Sequence, residues 1–267
     1  MPYIRTNGIR FAFDTFGDMK KKPIFLVHGL TGQRMQMYDT AEALKDDYFV
    51  ITYDCRGHGQ TDHPASYTLE DHGRDLLALI DAFGYEKAYI LGASMGSYVS
   101  MQAAELGPSK VEKLILVTTK AFDDGSGSSV DRVLREKGLK LGEASEEEMM
   151  AAVNSALWSP EMSMEKAQEI LAKQLDMGPN TVTLTPEETN AVNQALVGFD
   201  LRPGLSKITC PTLIVAGEYD GINPPSFSRM IVQDIPNAEL RIFPSGHNLA
   251  AECADDYHAA IKEFLAK

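Results

Sequence analysis

An α/β fold is predicted for this chain: a mostly parallel, eight-stranded sheet with helices on both faces. Three features carry the prediction. Eight short apolar runs are spaced along the 267 residues. The first two flank Asn7-Gly8, a dipeptide that tolerates the positive φ angles of a tight hairpin turn, so the sheet starts antiparallel. The other six alternate with helical patterns, and their unbroken Val, Ile and Leu content fits parallel strands covered on both sides.

The elements follow in order. Tyr3–Thr6 and residues 9–14 form the hairpin, and strands are expected at 24–27 and Phe49–Tyr53. Between 69 and 83, Leu76, Leu77, Leu79, Ile80 and Phe83 recur at three- and four-residue spacing, the stripe of an amphipathic helix. A strand at 88–91 runs into an apolar helix that opens at Met95, and a further strand follows at 114–117. Strands at 212–216 and 240–243 complete the sheet, and Tyr257, Ile261 and Phe264 mark the buried stripe of a final helix. The alternation fails between about Thr118 and Pro203. There Asp123-Asp124-Gly125-Ser126-Gly127-Ser128-Ser129 reads as a flexible hinge, followed by helical segments at 130–137, 146–158, 165–177 and 186–197. None leads into a buried strand, so the expected organisation is a core of residues 1–118 and 203–267 with a helical cap, 119–202, over one end of the sheet. The Glu146-Glu147-Glu148 run fits the first turn of one of these helices, where the helix dipole favours acidic side chains.

Composition narrows the function. The chain is 44% hydrophobic and 24% charged with a formal net charge of -13, a balance that disfavours nucleic acid and anionic membrane surfaces as partners. No segment approaches the ~20 apolar residues of a membrane span. The N-terminus runs straight into the hairpin pattern without the apolar stretch of a secretory signal. Cys55, Cys210 and Cys253 are odd in number, lack metal-ligand spacing and fit unpaired thiols in a reducing, cytoplasmic setting. No metal and no cofactor are expected.

The chemistry centres on Gly92-Ala93-Ser94-Met95-Gly96, directly after the strand at 88–91. A sharp strand-to-helix bend lifts the serine hydroxyl out of the backbone, and it needs glycine two residues to either side. A serine is a poor nucleophile unless an imidazole takes its proton and a carboxylate orients that imidazole. Asp220 follows the strand at 212–216 and His247 follows the strand at 240–243, so both emerge at the sheet edge that presents Ser94. His28-Gly29-Leu30-Thr31-Gly32, after the strand at 24–27, is the fourth segment. Two rigid backbone donors aimed at a developing oxyanion supply roughly 3 kcal/mol each. Met95 and Leu30 are the candidates.

On His28-Gly29-Leu30, Asp54-Cys55-Arg56-Gly57-His58-Gly59, the elbow, Gly217-Glu218-Tyr219-Asp220 with Pro224-Pro225, and Gly246-His247, the chain resembles α/β-hydrolases with a helical cap, over nearly all its length. Ser97 stands after Gly96 where most of that family has a glycine. The resemblance implies Ser94 as nucleophile, His247 as base, Asp220 as orienting acid and the Leu30 and Met95 amides as oxyanion hole. The family includes carboxylesterases, enol-lactonases, carbon–carbon bond hydrolases and cofactor-free haloperoxidase-like perhydrolases. Its aspartate-nucleophile branches are disfavoured by the serine at 94. Asp123 and Asp124, after the strand at 114–117, are the alternative acid; Asp220 is favoured by its surrounding sequence. His28 and His58 read as loop-shaping residues, with Asp54 and Arg56 tying loops together. Trp158 and Met149 are candidates for lining a pocket, against ordinary packing of the cap helices. The expected function is hydrolysis of a small carboxylic ester or lactone through an acyl-enzyme. Carbon–carbon hydrolysis, perhydrolysis and a small-molecule receptor or signalling role are the rivals. Oligomeric state leaves no mark in the sequence.

Overall fold

The computed structural model of the chain describes residues 2–123, 125, 129–140, 142–175 and 177–267. In chain order the elements are β1 (Tyr3–Thr6), β2 (Ile9–Phe16), β3 (Pro23–Val27), α1 (Tyr38–Leu44), β4 (Phe49–Tyr53), α2 (Leu69–Ala82), β5 (Ala88–Ala93), α3 (Met95–Leu106) and β6 (Val111–Val117). Then come α4 (Ser129–Glu136), α5 (Glu146–Leu157), α6 (Met164–Leu175), α7 (Pro186–Gln194), β7 (Thr212–Gly217), α8 (Pro225–Asp234), β8 (Ala238–Phe243), α9 (Leu249–Glu252) and α10 (Ala254–Ala266). All eight expected strands form one sheet in the order β1-β2-β4-β3-β5-β6-β7-β8. The pairings of β2 with β1 and β4 are antiparallel, and the rest are parallel.

Alternation along the central strands explains why the sheet is covered on both sides. Phe25 and Val27 of β3, Ile90 of β5, Leu114 and Leu116 of β6 and Ile214 of β7 enter one core with α2, α3 and α8. Their neighbours Ile24, Leu26, Leu91, Ile115, Leu213 and Val215 enter a second core with α1 and α10. Side chains of a strand point to opposite faces in turn, so a continuous apolar run feeds both layers. The Tyr257, Ile261 and Phe264 stripe of α10 lies in the second core. Helices α1 and α8 had no counterpart in the sequence reading.

Between β6 and β7 the described residues form four α-helices and no strand of the sheet. Capping boxes fix the starts of two of them: Ser145 with Glu148 at α5, and Thr185 with Glu188 at α7. The segment leaves and returns through a narrow stem. Phe122 bridges Asp200, the Asp123 N–H donates to Phe199 O at 2.8 Å, and the Leu201 N–H donates to Ala121 O at 2.8 Å. Asp123 Oδ2 also accepts from the Gly198 N–H at 2.8 Å. The carboxylate of one alternative acid is therefore spent on the stem, and the start of the expected hinge is held. Asp124, Ser126, Gly127 and Ser128 of that hinge lie outside the described residues. Among the described residues no helix is long and apolar enough to cross a membrane.

Candidate active site

Ser94 sits between β5 and α3 at φ 53 and ψ -120, one of four non-glycine residues with positive φ among the described residues. Such strain persists only where the surroundings impose it. Here they do: a Cβ on Gly92 would lie 2.1 Å from Gly96 O, and one on Gly96 would lie 2.1 Å from Val27 O. The two glycines let α3 start tight against β3. The Ser94 N–H donates to Val117 O at 2.9 Å, which ties the bend to β6.

The loop after β3 closes on this bend. A Cβ on Gly29 would lie 3.5 Å from Ser94 Cβ, so the glycine sets how near the loop can come. No described backbone carbonyl accepts from the Leu30 N–H, and Met95, as first residue of α3, has no partner within its own helix. The His28 ring is buried below the loop. Its Nδ1 donates to Gly29 O at 2.8 Å and its Nε2 accepts from the Cys55 N–H at 2.9 Å. Burial lowers its pKa to about 4, so it is a neutral strut. His58 donates from Nδ1 to Arg56 O at 2.9 Å and is pushed by burial down to about 3. Asp54 receives Arg34 Nη1 at 2.6 Å and the Arg34 and Gln60 N–H groups, and Arg56 grips Asp75 with two hydrogen bonds. These four residues tie loops together, as their motif suggested.

At the other side of the edge, Asp220 Oδ2 accepts from His247 Nδ1 at 2.9 Å. Asp220 Oδ1 accepts from the Ile222 and Asn223 N–H groups, both at 2.8 Å, so the carboxylate is held by three donors. With the proton of a neutral imidazole on Nδ1, the lone pair is on Nε2. The two residues are brought together across β7 and β8, 27 positions apart in sequence. Among the described residues no hydrogen bond joins the Ser94 hydroxyl to His247; its polar neighbour is the buried Tyr98 phenol. Tyr98 accepts from Asn223 Nδ2 at 2.7 Å, and the same amide group donates to Thr118 O at 2.6 Å. Tyr98 and Asn223 thus connect the bend of Ser94 to the loop of Asp220. Sequence reasoning missed both: Tyr98 reads as one more apolar position of α3, and Asn223 gives no signal beyond its place three residues after Asp220.

The helices between β6 and β7 lie against these loops. Val133 and Leu134 of α4 and Ala152 and Ala156 of α5 form a small core that takes in Met149 and Ile222 of the Asp220 loop. Ala191 and Val192 of α7 pack with Tyr67 and Leu30. Trp158, at the end of α5, is buried, and a Cβ on Gly246 would lie 2.6 Å from its Cα, so it stands beside the His247 loop. Met149 lies within packing. Among the described residues no cluster of His, Cys, Asp and Glu could hold a metal ion.

Similarity to known proteins gives the family. The model of the alpha/beta hydrolase fold matches residues 22–252, and the chain belongs to that family. The 3-oxoadipate enol-lactonase 2 of Acinetobacter baylyi is 24% identical over 99% of this chain and 96% of its own. A Caulobacter sp. protein, provisionally named a carbamate hydrolase, is 26% identical over 92% of this chain and 91% of its own. Among solved structures, the enol-lactonase from Burkholderia xenovorans LB400 superposes with a TM-score of 0.83, 26% identical, covering all of both chains.

Proposed function

We propose that this chain is a serine hydrolase that cleaves a small carboxylic ester or lactone, with residues 119–202 as a helical cap over its active site. The observation that carries the reading is the Asp220–His247 hydrogen bond of 2.9 Å at the sheet edge where Ser94 is held at φ 53. In this reading His247 Nε2 takes the Ser94 proton as the hydroxyl oxygen attacks the carbonyl carbon. Asp220 holds the ring by Nδ1 and stabilises the imidazolium that forms. The Leu30 and Met95 N–H groups, without a backbone partner among the described residues, receive the negative charge on the carbonyl oxygen. Collapse of the tetrahedral intermediate expels the alcohol, which takes its proton from His247. Water, deprotonated by the same ring, then attacks the acyl-Ser94 ester and releases the acid. In this reading the Ser94–His247 hydrogen bond is completed when substrate binds, since catalytic hydrogen bonds are often long or misaligned in the empty site.

Both enol-lactonases named above support a lactone as one substrate form, since opening a lactone is the same acyl transfer with the leaving alcohol still attached. The carbamate hydrolase name favours a second reading, cleavage of a carbamate by the same groups. The test is Ser94→Ala assayed on p-nitrophenyl acetate, a five- or six-membered lactone and a carbamate. Loss of at least about 10³-fold on the preferred substrate is expected. Full turnover by the variant would overturn the mechanism, and the order of the three substrates in the parent chain decides between the two readings.

A further inference from the structure

The loop that carries His247 is fixed by more than its hydrogen bond to Asp220. The His247 N–H donates to Leu157 O at 2.7 Å, in the last turn of α5. One residue earlier, the Gly246 N–H donates to Glu252 Oε1 at 2.8 Å, and the other oxygen of that carboxylate accepts from the Ser159 N–H at 3.1 Å. Glu252 therefore spans two chain segments 87 residues apart, the base's loop (246) and the residues just after α5 (159). Glu252 is the last residue of the four-residue α9, and no cation pairs with it among the described residues. Two backbone N–H groups, one per oxygen, hold the carboxylate through charge-assisted hydrogen bonds.

We infer that Glu252 is a positioning residue for His247, clamping the base's loop to the end of α5 so that the imidazole reaches Ser94 from a fixed origin. The inference rests on the reading of His247 as base. Asp220 constrains one ring nitrogen, but a ring held at that point alone can still pivot. The Gly246–His247 backbone sets where the side chain begins, and this is what Glu252 and Leu157 O hold. A misplacement of the order of 1 Å in a catalytic group costs as much as a hundredfold in rate, so a clamp on the backbone has kinetic consequences without touching the substrate.

The experiment compares E252Q and H247A with the parent enzyme. Glutamine keeps the size of the side chain but sets an NH2 group against one of the two N–H donors, which breaks one arm of the clamp. E252Q is expected to stay folded with a melting temperature a few degrees lower, to lose kcat on p-nitrophenyl acetate about tenfold and to keep KM within about twofold. The loss is expected to be larger on ethyl acetate, whose alkoxide leaving group depends more on a well-placed proton from His247. The downfield Nδ1–H proton resonance of His247 is expected to shift. Parent kcat in E252Q would overturn the proposal. So would a loss with an unmoved resonance and an unchanged ratio between the two esters, because that describes a structural residue only. If H247A turns over like the parent, the base assignment itself fails and the proposal with it; an inactive H247A beside an unaffected E252Q condemns the proposal alone. Should E252Q not fold, the same readouts apply to Ser159→Pro, which deletes the second N–H, at a position whose preceding residue already has ψ 152, as proline requires. Parent values there would also overturn it.

Discussion

At the scale of single residues, the bend at Ser94 is held by exclusion. Gly96 is a glycine because any side chain would strike Val27 O at 2.1 Å and His28 O at 2.7 Å, both backbone atoms of β3 and its following loop that cannot swing aside. Gly96→Ala is expected to destabilise the protein by about 3 kcal/mol, since α3 must shift away from the sheet. Chemical denaturation measures this, and parent stability would mean that the contact is looser than described. The residues readable from sequence share this local character. The bend at Ser94 and the strand-end positions of Asp220 and His247 are each encoded within a few neighbours. Glu252 is different: it is one of 38 acidic residues, and its partners are backbone N–H groups, which have no residue type to read. Tyr98 and Asn223 meet through a fold that joins positions 125 residues apart.

At the scale of elements, α7 is joined to the core by a polar latch as well as by packing. Glu188 completes the capping box of α7 by accepting from the Thr185 N–H at 2.8 Å with Oε2, while Oε1 accepts from His63 Nδ1 at 2.6 Å. His63 Nε2 lies 2.9 Å from Gly59 O. Just upstream of α7, the Gln33 side chain pairs with both backbone groups of Val182. Glu188→Ala is expected to cost roughly 1 kcal/mol, from the reciprocal arm of the capping box and the partly exposed His63 contact, while the Thr185 hydroxyl still caps the residue-188 N–H. Hydrogen exchange should show faster opening of α7 amides with α2 and α3 unchanged; equal protection of α7 would refute the latch. The sheet was legible because buried parallel strands write continuous apolar runs. Helices α1 and α8 were not: α1 is seven residues long, and α8 buries only Ser228 and Ile231, too little for a periodic stripe.

At the scale of the whole molecule, three buried neutral histidines set the response to acid. Burial lowers His28 to about 4 and His58 to about 3, and places His72 well below its ordinary 6.5. In the unfolded chain each titrates near 6.5. Their stabilising contribution is therefore complete above pH 6.5 and is lost as pH falls toward the folded values, at about 1 kcal/mol per pH unit for each histidine. Urea unfolding at about pH 7.5 and about pH 5 should show the drop, and His72→Leu should reduce it by about a third; a flat profile in the parent would contradict their burial as neutral rings. The stem at Phe122 and Asp200 has another consequence, for how such a chain can change. Because the polypeptide departs and returns through bridged neighbours, the sheet does not register how many residues lie between them, and doubling that length adds only about 0.6 kcal/mol of closure entropy. Inserts of different size can thus be exchanged there by recombination without rebuilding the sheet. Among the demands on a newcomer, it must offer carbonyls where Ala156 and Leu157 now accept from Gly221 and His247, or leave two loop amides without partners.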